Sequence, residues 1–174
     1  ISWVDKRQGT GDLLAGLPLW VCKTVGGTTF HWAGASLRFK DHEFRARSKY
    51  GEIEGANLLD WPVDPNEMER FYSMAEDKMG VTGTHGIPRL PGNNNFQVME
   101  HRANALGYND VHTGNMAINS KARDGRPGCH QIGFCMAGCA IGAKWSTLYT
   151  EIPRAEATGH FELRPESMVL NITH

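Results

Sequence analysis

Residues 128–144 read "GCHQIGFCMAGCAIGAK". Three of the chain's four cysteines fall here, as Cys129-x5-Cys135-x3-Cys139, spaced by glycines. Four cysteines in 174 residues are too few for a disulfide scaffold. Pairing two of the clustered three would strand the third. Thiolates that converge from a glycine-rich loop suit an iron–sulfur cluster, with three irons or with four and one outside ligand. A zinc site would need a fourth donor, for which His130 or the remote Cys22 is available, but the paired C-x2-C knuckles of a zinc ribbon are absent. Spacing alone leaves iron–sulfur, zinc and buried structural thiols open.

The composition frames these alternatives. A chain of 174 residues can build one domain with its own core. A formal charge of −1 gives no overall field favouring nucleic acid or an anionic membrane. No apolar run approaches the roughly 20 residues of a membrane helix. Twenty glycines and five tryptophans point to turns and close backbone contacts rather than long helices.

Working outward, Val25-Gly26-Gly27-Thr28-Thr29 sets two glycines before two hydroxyls, ahead of His31-Trp32. Such a turn lets backbone N–H groups approach an anion closely, and is also ordinary turn chemistry. A helix is predicted over 65–79, with Asp64 as N-cap, Pro65 at its first position and Gly80 after its end. Met68, Phe71, Tyr72, Ala75 and Met79 recur at helical spacing and are expected to face the core. Residues 84–95 read as a loop. A second helix is expected over 95–106, with Phe96, Met99, Ala103 and Leu106 inward and Gly107 closing it. Residues 107–128 look irregular. A helix near 146–157 would be kinked or shortened by Pro153. The closing "HFELRP" and "SMVLNITH" alternate as strands do.

The stretches "VGGTTFHWAGASLRF" and "GNMAINSKARDGRPGCHQIGFCMAGCAIGAKWSTLYTEIPRA" resemble the glucose–methanol–choline (GMC) oxidoreductase family. They are similar in particular to its branch of gluconate, sorbitol, fructose and FAD-dependent glucose dehydrogenase flavoprotein subunits, most of all to the gluconate 2-dehydrogenase type. The resemblance implies an α/β (α+β mixed) fold, an internal part of a GMC-type FAD-binding domain. It would lack the N-terminal dinucleotide-binding βαβ unit and the C-terminal catalytic region, since no G-x-G-x-x-G fingerprint or terminal His pair is found. It divides the chain into a flavin-contacting segment (1–60), a helical and loop region (61–120), the cysteine loop (121–145) and a returning part of the FAD domain (146–174).

The family's FAD would be contacted by Gly26, Gly27, Thr28, Thr29, His31, Trp32 and Ala33. Val169 resembles the position whose backbone meets the adenine, and His31 lies where some relatives attach flavin covalently. A 3Fe-4S cluster would be held by Cys129, Cys135 and Cys139. No residue is assigned a catalytic role, so residues 1–174 by themselves are expected to be inactive. The resemblance also implies a sugar, polyol or sugar-acid substrate, a cytochrome c subunit and a small subunit as partners, and a periplasmic setting reached at the membrane through a partner.

Overall fold

The structure, a computed structural model, describes residues 22–173 and, before them, the backbone of two short strands. These strands, β1 (Trp3–Val4) and β2 (Leu13–Leu14), pair antiparallel with Trp3 opposite Leu14 and Val4 opposite Leu13. Among the described residues five helices follow: α1 (Asp41–Phe44), α2 (Ala46–Tyr50), α3 (Pro65–Met79), α4 (Asn94–Ala105) and α5 (Glu151–Glu156). Gly27–His31 and Cys135–Ala137 form 3-10 turns. Among the described residues no helix is long and apolar enough to cross a membrane.

The core is built on an extended run that the sequence left irregular. Ala117 donates its N–H to the Gly34 carbonyl at 2.7 Å, and Ser36 donates to Asn115 at 3.0 Å. On the other side Trp145 donates to Ala117 at 2.8 Å and Asn119 to Ala143 at 2.9 Å. Thr82 N–H closes on Met116 at 2.9 Å. The segments thus meet through single antiparallel bridges, Ala35 with Met116 and Ile118 with Lys144, rather than through full strands. Val81, Thr82, Ala117, Ile118, Asn119 and Ala143 are buried at this crossing. Backbone groups buried there must pair, and the small side chains allow the three segments to close on one another.

α3 ends where its caps require. The Asp64 carboxylate accepts from Asn66 N at 2.9 Å, Pro65 opens the first turn, and Gly80 closes the helix at φ 70°. Its inward face is the expected one only in part. Met68, Tyr72 and Met79 are half-buried, but Phe71 is 48% exposed and Ala75 is exposed, whereas Glu76 is buried. The cause is a cation from outside the helix. Arg38 clamps Glu76 bidentately, Nε to Oε1 at 2.6 Å and Nη2 to Oε2 at 2.7 Å, and reaches Glu69 with Nη1 at 2.5 Å. These carboxylates hold the Arg38 guanidinium well above its ordinary pKa, Glu76 first and Glu69 second. Apolar periodicity counts a glutamate as outward, and an ion pair with a distant arginine reverses that.

α4 starts on Asn93, whose side chain accepts from Phe96 N at 2.9 Å. Phe96 and Ala103 are half-buried as expected, while Met99 and Leu106 lie open at 69% and 71% exposure. α5 is shorter than expected, and Pro153 sits in its first turn, where a missing N–H costs no intrahelical bond. The terminal strands do not form. Residues 160–173 contain neither helix nor strand, and Leu170 and Ile172 are 84% and 88% exposed. Alternation makes a strand only where a sheet edge offers partners, and among the described residues none pairs with this segment.

Gly34 offers a test of the crossing. It sits at φ +86°, and a Cβ there would lie 2.9 Å from Cγ1 of the buried Ile118. Gly125, at φ +72°, has open space instead. Gly125→Ala should cost about 1 kcal/mol through backbone strain alone. Gly34→Ala should cost about 1–3 kcal/mol more, because Ile118 must move within a packed core. Urea unfolding of both variants checks the difference, and equal losses would show that the crossing yields freely.

Candidate functional site

The glycine turn enters through backbone that only glycine adopts without strain. Gly26 lies at φ 92° and Gly27 at φ 59°, and Gly27 N–H returns to the Thr24 carbonyl at 2.9 Å. Thr28 is turned inward on its own loop, where Oγ1 accepts from Cys22 N at 3.5 Å. The 3-10 turn then lays Phe30 and His31 across the cysteine loop. His31 Nδ1 lies 2.8 Å from the Met136 carbonyl, and since a carbonyl only accepts, Nδ1 carries the proton. Phe30 rests against Gly138, where a Cβ would come within 2.8 Å of its ring.

Lys144 ties these pieces together. It is 4% exposed, and its ammonium donates to Trp32 O at 2.8 Å, Phe30 O at 3.2 Å and Cys135 O at 2.6 Å. One side chain thereby satisfies carbonyls of both the flavin-type segment and the cysteine loop. Burial pushes its pKa below the ordinary lysine value, and the Cys135 and Cys139 thiols pull it back up.

All four cysteines are free and half-buried. Cys129 Sγ accepts from Gln131 N at 3.3 Å, and Cys139 Sγ accepts from Lys144 N at 3.4 Å. Among the described residues no three His, Cys, Asp or Glu side chains gather closely enough to hold a metal ion. Neither zinc alternative is assembled. Cys22 Sγ meets Thr24 Oγ1 at 3.6 Å on the glycine loop, and His130 is exposed.

A second buried cation stands behind the loop. Arg126 is 4% exposed and spends Nη1 on the carbonyls of Ala143 at 3.2 Å and Gly142 at 3.5 Å. Its Nε and Nη2 are buried with no acceptor among the described residues. Burial lowers its pKa, opposed first by Asp124.

A cavity of about 520 Å³ opens beside these groups. Gly26, Thr29 and Trp32 from the expected flavin segment line it, together with Cys139, Lys144, Trp145 and Tyr149. Gly27, Thr28, His31 and Ala33 are not among its lining residues. Val169 is apart from it in the open tail, 74% exposed. Of the three clustered cysteines only Cys139 reaches the cavity. The sequence missed Arg126 and Lys144 as site residues. A charged side chain within "AIGAKW", among small and aromatic neighbours, was the available signal of a buried cation.

A family model described as GMC oxidoreductase matches residues 16–172. The chain is 33% identical over 153 residues to the fructose dehydrogenase large subunit of Gluconobacter japonicus, a match covering 80% of this chain and 27% of that protein. It is 30% identical to paromamine 6'-oxidase of Streptomyces fradiae, covering 83% of this chain and 27% of that one. It is 25% identical to the gluconate 2-dehydrogenase flavoprotein of Pantoea cypripedii, covering 85% and 30%. The chain thus spans less than a third of the length of these relatives.

Lys144→Met tests the tie. Three part-buried carbonyls would lose a charged donor, partly offset by removal of a buried charge, for a net loss of about 2–4 kcal/mol. Limited proteolysis should then cut preferentially within 25–32 and 132–138. Protection equal to the unaltered protein would show that the two loops hold without the ammonium.

Proposed function

The chain belongs to the GMC oxidoreductase family, and from that premise we propose that it is part of an FAD-dependent dehydrogenase that oxidises an alcohol carbon of a sugar, polyol or sugar acid. The observation that carries this reading is the shared cavity, where the glycine-turn segment and Cys139 form one wall system. FAD, when bound, supplies the acceptor for the hydride released as the alcohol becomes a carbonyl.

The chain's own residues hold and position. The Gly26–Gly27 turn brings main chain to the cavity without side-chain bulk, and Trp32 and Trp145 offer flat apolar walls suited to a large aromatic ring. No residue within 22–173 is assigned as the base that takes the hydroxyl proton.

We further propose that Cys129, Cys135 and Cys139 hold a three-iron, four-sulfur cluster. The spacing of the three thiols supports this reading, and Cys129 and Cys139 each accept a backbone N–H bond, but among the described residues the three sulfurs do not gather closely enough to hold a metal ion. Substrate oxidation releases two electrons, and a one-electron centre would pass them singly to an outside acceptor. A cytochrome c subunit is the proposed acceptor, with a small subunit alongside. The proposed setting is the periplasmic side, with the membrane reached through a partner.

Two variants of the whole protein separate the cofactors. Gly26→Val places a branched side chain at φ +92° on the cavity lining and should lower flavin content severalfold while iron and sulfide stay in place. Cys129→Ser should do the reverse, losing the cluster's paramagnetic signal while flavin remains. Full flavin in the first variant, or a full cluster in the second, refutes the matching assignment.

A further inference from the structure

We propose that the cavity between the first turns of α4 and residues 111–113 binds a neutral polyhydroxylated ligand, a sugar or a polyol, apart from the cavity at the glycine turn. It holds about 610 Å³ and shares no lining residue with that other cavity. The proposal goes beyond the redox reading and does not depend on it.

The walls are fixed by bonds between separate segments. Arg89 donates from Nη1 to the Thr113 carbonyl at 2.7 Å and to Asn115 Oδ1 at 2.6 Å. Thr113 Oγ1 donates back to the Leu90 carbonyl at 2.7 Å. Phe96 closes over Gly92, where a Cβ would come within 2.1 Å of its ring. The bare main chain at 92 is therefore what lets the ring stand in the cavity wall.

The polar groups left over set the ligand's chemistry. Gln97 and Glu100, three residues apart on α4, share one helix face and both line the cavity. Glu100 is half-buried, and its carboxylate has no hydrogen bond or ion pair among the described residues. A carboxylate partly withdrawn from water gains from any donor a ligand brings. Gln97 spends Nε2 on the Gly92 carbonyl at 3.4 Å, which leaves Oε1 as a second acceptor. His112 carries its proton on Nδ1, toward the Thr113 carbonyl at 3.0 Å, and its Nε2 accepts from Arg89 Nη2 at 3.4 Å.

Charge then argues against two classes of ligand. Among the described residues no carboxylate lies within ion-pair distance of Arg89, so a cation drawn to Glu100 would also meet the field of the guanidinium. An anion would need a free guanidinium fork, yet both terminal nitrogens of Arg89 already face acceptors, and Glu100 repels it. A neutral ligand rich in hydroxyls meets neither obstacle. Its O–H groups donate to Glu100 and Gln97, and its C–H face packs on Phe96.

The test uses the whole holoprotein without an electron acceptor, so that binding is read apart from turnover. Dissociation constants are measured by saturation-transfer NMR for sorbitol and methyl α-glucoside, with glucosamine and gluconate as charged comparators. Both neutral probes should bind. Glu100→Ala should weaken them about tenfold and Gln97→Ala severalfold, as hydrogen bonds to the ligand are lost. Gly92→Ala should weaken them too, by displacing Phe96 with no polar group removed. Glu54→Ala, at an exposed carboxylate outside the cavity, should leave them unchanged. Any binding of these sugars at the glycine-turn cavity is common to all the variants, and the losses are read against it. Circular dichroism identifies a variant that fails to fold, and the other α4 variant then decides. Absence of binding by both neutral probes, native constants in both α4 variants, or a loss confined to glucosamine or to gluconate overturns the proposal.

Discussion

The ammonium of Lys144 is the constraint on which the site depends. Its three acceptors, Phe30 O, Trp32 O and Cys135 O, belong to segments more than a hundred residues apart in one case and nine in the other. A flexible side chain making three charge-assisted bonds inside the protein leaves those segments little independent freedom. Its backbone is equally committed, through the bridge to Ile118 and the N–H bond to Cys139 Sγ. Cavity wall, cysteine loop and central crossing therefore share one residue. A displacement of any of them is felt by the other two.

The crossing itself explains why a polar residue can serve this way. Its buried set includes Thr82, Asn119, Arg126 and Lys144 alongside Val81, Ala117, Ile118 and Ala143. Such a core gains less from apolar burial than a leucine-rich one of equal size. It gains direction instead, because each polar group has few satisfactory arrangements. Asn119 shows this, with its side-chain amide nitrogen donating to the carbonyls of Arg123 and Arg126 and its backbone carbonyl accepting from Cys129 N. That chain of bonds fixes where the cysteine loop begins.

What could be read from the sequence divides along the range of the forces involved. The ends of α3 were legible because capping is local: Asp64, Pro65 and Gly80 act within one turn of themselves. The clustered cysteines and the glycine turn were legible as local patterns for the same reason. That Cys139 and Gly26 line one cavity was not, since it depends on Lys144 reaching back to residues 30 and 32. The inward turn of Glu76 was hidden too, because its partner Arg38 lies far upstream. The terminal alternation misled in the opposite direction. Val169, Leu170 and Ile172 have strand-like order without an edge to join among the described residues.

The distribution of charge separates structure from site. Arg38, Arg47, Arg123 and Arg164 each have a carboxylate within ion-pair distance, Glu76, Glu52, Asp77 and Glu162 respectively. Three of these four pairs lie where water screens them and add little to stability. Arg126 and Lys144 are the reverse case, deeply buried and hydrogen-bonded to carbonyls, with no carboxylate in ion-pair distance among the described residues although Asp124 acts on Arg126 from farther away. Dipoles offset part of the desolvation of a cation but not its net charge.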